Sequence, residues 1–65
     1  MKLVVNGEPR EVAAASVEEA LAALGFEDAT VATALNGEFV ARRLRAQAAL
    51  AEGDRLEVLA PRQGG

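Results

Sequence analysis

Two Asn-Gly dipeptides, Asn6-Gly7 and Asn36-Gly37, constrain this chain more than any other feature. Each follows a short β-prone run, and both residues accept the positive φ of a type I′ turn, the tightest hairpin connection. The first joins a strand at Leu3-Val4-Val5 to a second expected around Arg10 to Ala13. Pro9 cannot donate to a ladder, so it belongs at the start or edge of that second strand. The second dipeptide closes a strand over Val31 to Leu35 and returns it through Phe39-Val40. The chain therefore reads as two hairpins with something between them.

What lies between is a helix. Ser16-Val17-Glu18-Glu19 is a capping box, in which Ser16 accepts from the Glu19 N–H and the Glu19 side chain reaches back to Ser16. Glu18 and Glu19 also suit the positive end of the helix dipole. Val17, Ala20, Leu21 and Leu24 follow at i, i+3, i+4 and i+7, one apolar stripe, and Gly25 stands where a helix ends. After the second hairpin, Ala41 to Ala51 is rich in Ala and Arg, with Leu44, Ala48 and Ala51 spaced for a short helix or 3₁₀ turn. Glu52-Gly53-Asp54 is a turn, and Arg55 to Leu59 alternates polar and apolar as a half-buried strand does. A hairpin, one crossing helix and a last strand returning to a mixed sheet make an α+β chain of the β-grasp (ubiquitin-like) type. The single stripe covers one sheet face. Parity turns Leu3, Val5, Leu56 and Val58 toward it, with Leu21 and Leu24, and turns Val4 and Leu59 to the open face. The expected organisation is one domain over 1–60 and a flexible tail over 61–65, released by Pro61.

Sixty-five residues make a thin core and leave little room for a deep substrate cavity. With no Cys and no His, disulfides, Cys/His zinc sites and thiol catalysis are excluded. The formal charge is −3, the only basic run being Arg42, Arg43 and Arg45. An acidic chain with few aromatics is a poor candidate for nucleic acid. No apolar segment is long enough for a signal peptide or a membrane span, so a soluble, cytoplasmic chain is expected, binding neither membrane nor nucleic acid. The single serine, Ser16, is already used as a cap. The carboxylates of Glu18, Glu19, Glu27, Asp28, Glu52 and Asp54 sit at expected caps and turns, so no catalytic residue, metal ligand set or bound cofactor emerges.

One unusual group is left, the carboxylate behind Gly64-Gly65. Two terminal glycines arise by chance in about one chain in two hundred. Lacking Cβ atoms, they make a thin and permissive tail that can thread a narrow channel. A side chain at 64 or 65 would widen the tail where the channel must be tightest.

Val31 to Val40, Leu50 to Val58 with its Gly53-Asp54 turn, the tail Ala60 to Gly65 and the opening Val5-Asn6-Gly7-Glu8-Pro9 together resemble the ThiS sulfur carriers of the thiamine pathway. The resemblance covers nearly the whole chain. It departs at Ala41, where the family often has Pro before the Arg that is Arg42 here, and at Arg62, often apolar. The resemblance implies a protein cosubstrate, not an enzyme. A ThiF-like adenylyltransferase would use ATP to activate the Gly65 carboxylate, with Gly64 threading its channel. A persulfide sulfur donor, of the cysteine desulfurase or rhodanese type, would then displace AMP to leave a thiocarboxylate for thiazole synthase. Docking candidates are Val4 and Leu59 on the open face, with Arg42 and Arg62 as charged contacts. Two other readings stay open within this class, a molybdopterin synthase small subunit and a tRNA-thiolation carrier. An RNA- or nucleotide-binding β-grasp module is the reading of another class, and it would use the arginine run.

Overall fold

The computed structural model describes residues 1–26 and 30–60. The elements run β1 (Lys2–Val5), β2 (Glu8–Glu11), α1 (Val17–Ala23), β3 (Ala32–Leu35), β4 (Glu38–Val40), a 3₁₀ turn (Arg42–Leu44) and β5 (Arg55–Leu59). The five strands form one sheet in the order β2-β1-β5-β3-β4. β1 and β5 run parallel and the other pairs are antiparallel. This is the mixed sheet and single packed helix of a β-grasp fold. The last strand made is the middle strand of the sheet. The expected tail, with Arg62, Gly64 and Gly65, lies outside the described residues, as do Glu27 and Asp28.

Both hairpins turn on two residues. Asn6 and Asn36 each have φ 51°, followed by Gly7 at 85° and Gly37 at 87°, positive throughout as type I′ requires. A two-residue turn sets Glu8 directly opposite Val5. β2 therefore starts immediately after Gly7 and spans Glu8–Glu11, earlier than the expected Arg10 to Ala13. Pro9 fits because it pairs with Val4 between hydrogen-bonded rungs, where its missing N–H faces the open edge of the sheet. Val12 continues the pairing, donating to the Met1 carbonyl at 2.8 Å.

The helix starts as the sequence indicates, with Ser16 Oγ accepting from the Glu19 N–H at 3.2 Å. The returning half of the capping box differs, since Glu19 Oε1 accepts from the Ala15 N–H at 2.8 Å, one residue beyond Ser16. At the other end Gly25 has φ 89°. Its N–H donates to the Ala22 carbonyl, and that of Phe26 to the Leu21 carbonyl at 2.7 Å. That pair of bonds is a Schellman cap.

The buried apolar set is Leu3, Val5, Val12, Val17, Ala20, Leu21, Leu56 and Val58, with Leu24 partly buried against it. Five of the six expected core residues are thus buried, and Leu24 is at the margin because it caps the helix. Three polar residues are buried with it among the described residues, the cap residue Ser16 and two others. Thr33 is 2% exposed and Arg45 8%.

Candidate functional site

The register of the sheet decides what its open face carries. Pro9, Val4 and Arg55 are lateral neighbours in one row, Glu57, Ala34 and Phe39 in the next, and Leu59 beside Ala32 in the third. Phe39 and Leu59 are each 72% exposed, the most exposed large apolar side chains among the described residues. Strand spacings put their Cα atoms about 12 Å apart across β3. Ala32 and Ala34 lie between them with only methyl side chains. The residue sizes make a shallow trough with an Ala floor, rimmed by Phe39 on the β4 side and by Leu59 and the exposed Glu57 on the β5 side, and β5 leaves the sheet from the Leu59 end. Isolated exposed apolar residues are ordinary, whereas a grouped patch marks an interaction surface. Phe39 was not singled out from the sequence. Its signal was available, because the Asn36-Gly37 turn sets Leu35 against Glu38 and hence Phe39 on the face of Ala34.

Val4 and Leu59 share the open face as expected, but at opposite ends, about 14 Å apart by strand geometry. Val4 borders a shallow groove of about 310 Å³ with Gly7, Gly37, Arg55 and Glu57. Arg42 is elsewhere. It lines a cleft of about 350 Å³ on the helix side with Glu18, Glu19, Leu21, Ala22, Phe26 and Arg45. The structure therefore does not bring Arg42 together with Val4 and Leu59.

The arginine run also divides. Arg42 and Arg43 are exposed. Arg45 turns inward, its Nε donating to Thr33 Oγ1 at 3.1 Å and its Nη2 to the Val31 carbonyl at 2.6 Å. The Thr33 hydroxyl in turn donates to the Val40 carbonyl at 2.8 Å. This network ties the segment after β4 to β3, so Arg45 is a structural residue and the exposed basic run shrinks to two.

Two asparagines hold β5 from either side. Asn6 Nδ2 donates to the Val58 carbonyl at 3.1 Å and its Oδ1 accepts from the Val58 N–H at 2.8 Å, an extra rung where β1 has already turned away. Asn36 Oδ1 accepts from the Arg55 N–H at 2.9 Å and its Nδ2 donates to Asp54 Oδ1 at 3.1 Å. The remaining acids near β5 serve backbone as well. Both Glu52 oxygens accept from the Lys2 N–H at 3.1 Å, and Asp54 Oδ2 accepts from the Ala51 N–H at 2.8 Å. Among the described residues no group of three acidic side chains is placed to hold a metal, and no helix is long and apolar enough to cross a membrane.

The family model for ThiS matches residues 3–65. The chain belongs to the ThiS family. ThiS proteins are small sulfur carriers of thiamine biosynthesis rather than catalysts. The crystal structure of the thiamine biosynthesis protein ThiS from Geobacter metallireducens superposes with a TM-score of 0.80 at 39% identity, each chain covering 100% of the other. A thiazole synthase from Paramagnetospirillum magneticum (strain ATCC 700264 / AMB-1) is 44% identical over 66 residues, a match that takes in 100% of this chain and 20% of that relative. The chain thus spans about a fifth of that protein's length. Among the carrier readings left open by the sequence, the family match selects the thiamine pathway.

Proposed function

We propose that this ThiS-family chain carries sulfur as a thiocarboxylate on Gly65 and delivers it for thiazole formation. The observation that carries the proposal is that the family match extends through Gly64-Gly65 to residue 65. A carboxylate oxygen of Gly65 attacks the α-phosphorus of ATP on a ThiF-like adenylyltransferase, and pyrophosphate leaves. The acyl-adenylate provides the leaving group that a free carboxylate lacks. The terminal sulfur of a persulfide, supplied by a desulfurase or rhodanese-type donor, displaces AMP. Thiolytic cleavage of the resulting S–S bond leaves the thiocarboxylate.

Thiazole synthase is the proposed acceptor. The thiazole synthase relative that contains a ThiS-like fifth supports this, since fusing carrier and acceptor keeps the sulfur at high effective concentration. The trough between Phe39 and Leu59 is the proposed docking face, because a partner seated there lies beside the end of β5.

Intact-mass measurement on the natural protein must first place Gly65 at the C-terminus. Incubation with ATP, adenylyltransferase and persulfide donor then replaces one oxygen by sulfur on the C-terminal peptide alone. A chain extended past Gly65 by a bulky residue stays unmodified. Modification of that extended chain at the parental rate would falsify the carrier assignment.

A further inference from the structure

The two turns have nearly the same sequence, Val5-Asn6-Gly7-Glu8 and Leu35-Asn36-Gly37-Glu38, and the same backbone conformation. Asn-Gly is also the dipeptide most open to cyclisation, because a residue without a Cβ leaves its nitrogen free to approach the neighbouring side chain. We propose that Asn36 is a self-modification site, cyclising onto Gly37, while the structure protects Asn6.

The reaction needs no partner but water. The backbone nitrogen of Gly37 attacks Cγ of Asn36, the new N–Cγ bond forms, the Cγ–Nδ2 bond breaks and ammonia leaves. Water then opens the five-membered imide at one carbonyl or the other, giving an aspartyl or an isoaspartyl residue.

The two sites differ in what their amides must leave behind. To cyclise, each amide swings away from its two partners. Asn6 would abandon the N–H and carbonyl of Val58, a residue 7% exposed whose two bonds to Asn6 are partly buried. Water replaces such bonds poorly, so the open state of Asn6 is costly. Asn36 would abandon the Arg55 N–H and the Asp54 carboxylate, and both of those bonds are solvent-exposed. Water takes them over directly.

The products damage the hairpin that carries Phe39. The aspartyl form puts a carboxylate against Asp54 where a hydrogen bond of 3.1 Å now stands, and it adds a negative charge to a chain already at −3. The isoaspartyl form routes the main chain through the side chain. The extra methylene in a two-residue turn breaks the pairing of Leu35 with Glu38 and of Ala34 with Phe39.

The near-identity of the two tetrapeptides supplies an internal control. The chain is aged in mildly alkaline buffer, folded or in concentrated urea, and both sites are quantified by peptide mass and isoaspartyl labelling. In urea the two sites should react at comparable rates. In the folded chain the Asn36 product should accumulate several-fold ahead of the Asn6 product. Equal rates in the folded chain, a faster Asn6, or the same ratio in both conditions overturns the proposal. An N36G variant keeps the turn conformation and removes the site, so its melting temperature should decline more slowly on ageing than the parent's. An equal decline also overturns it.

Discussion

Arg45 shows how far a charge can mislead at the level of one residue. In sequence it is the third member of a basic run, but its guanidinium spans from the Thr33 hydroxyl to the Val31 carbonyl and is 8% exposed. Nothing local announces this, because one acceptor lies on β3 and the other on the residue just before it, both more than ten positions earlier. Replacing it with Met leaves those acceptors without their donors, so R45M should lose about 1–3 kcal/mol, read as a lower urea midpoint. R45K should recover only part of the loss, since a single ammonium cannot reproduce the fork of a guanidinium. A variant R45M as stable as the parent would return Arg45 to the surface. The asparagines were legible as turn residues, from φ requirements alone. Their second task of pairing with β5 was not, because it depends on which strand lies alongside.

The helix is the element most fully written in the sequence. Its Ser16 cap, its apolar stripe and its terminating glycine are all local signals and appear where the spacing puts them; only the return contact of Glu19 falls one residue away, on Ala15. Leu21 is 4% exposed at the centre of that stripe, so L21A should cost about 2–5 kcal/mol. Total stability for a domain of this size lies toward the lower end of about 5–15 kcal/mol, so this one change should remove a large share of it, read as a marked drop in melting temperature. S16A should cost about 1 kcal/mol, a measurable drop in melting temperature with the helix retained by circular dichroism. If S16A matched the parent, the cap would be dispensable. β2 was placed later along the chain than it lies. Pro9 marks the start or edge of the strand from sequence alone, but only the pairing with β1 shows that the strand begins at Glu8 and ends at Glu11.

For the whole molecule, the two faces of the sheet divide the work. One face is closed by α1 and supplies stability. The other is open, and its trough lies next to the point where β5 leaves the sheet. Changing Phe39 to Ala or Leu59 to Asp removes exposed surface and should shift the melting temperature little, while, if the proposed docking face is right, weakening association with the two proposed partners, an adenylyltransferase and thiazole synthase. Titration of labelled protein, followed by NMR, should show the largest shifts at Ala32, Ala34, Phe39 and Leu59. Shifts confined to α1 and the Arg42 cleft would place docking on the opposite side. The candidate surface was half legible in the sequence. Strand parity gave Leu59 and Val4, but that Arg42 lies apart from them, on the helix side, was not legible, because it depends on the segment after β4 turning back toward the helix.

Because β5 lies in the middle of the sheet, the order of synthesis matters. A ribosome releases β1 to β4 and the helix before the strand that both hairpins need as a neighbour has been made. Until residues 55–59 emerge, the earlier segments have no shared partner, and the contacts still missing are the long-range ones that form slowly. A nascent chain should therefore stay open to proteases until that moment. A message broken before the codons for β5 would yield a product that is degraded, not a folded decoy able to occupy the partners' docking surfaces.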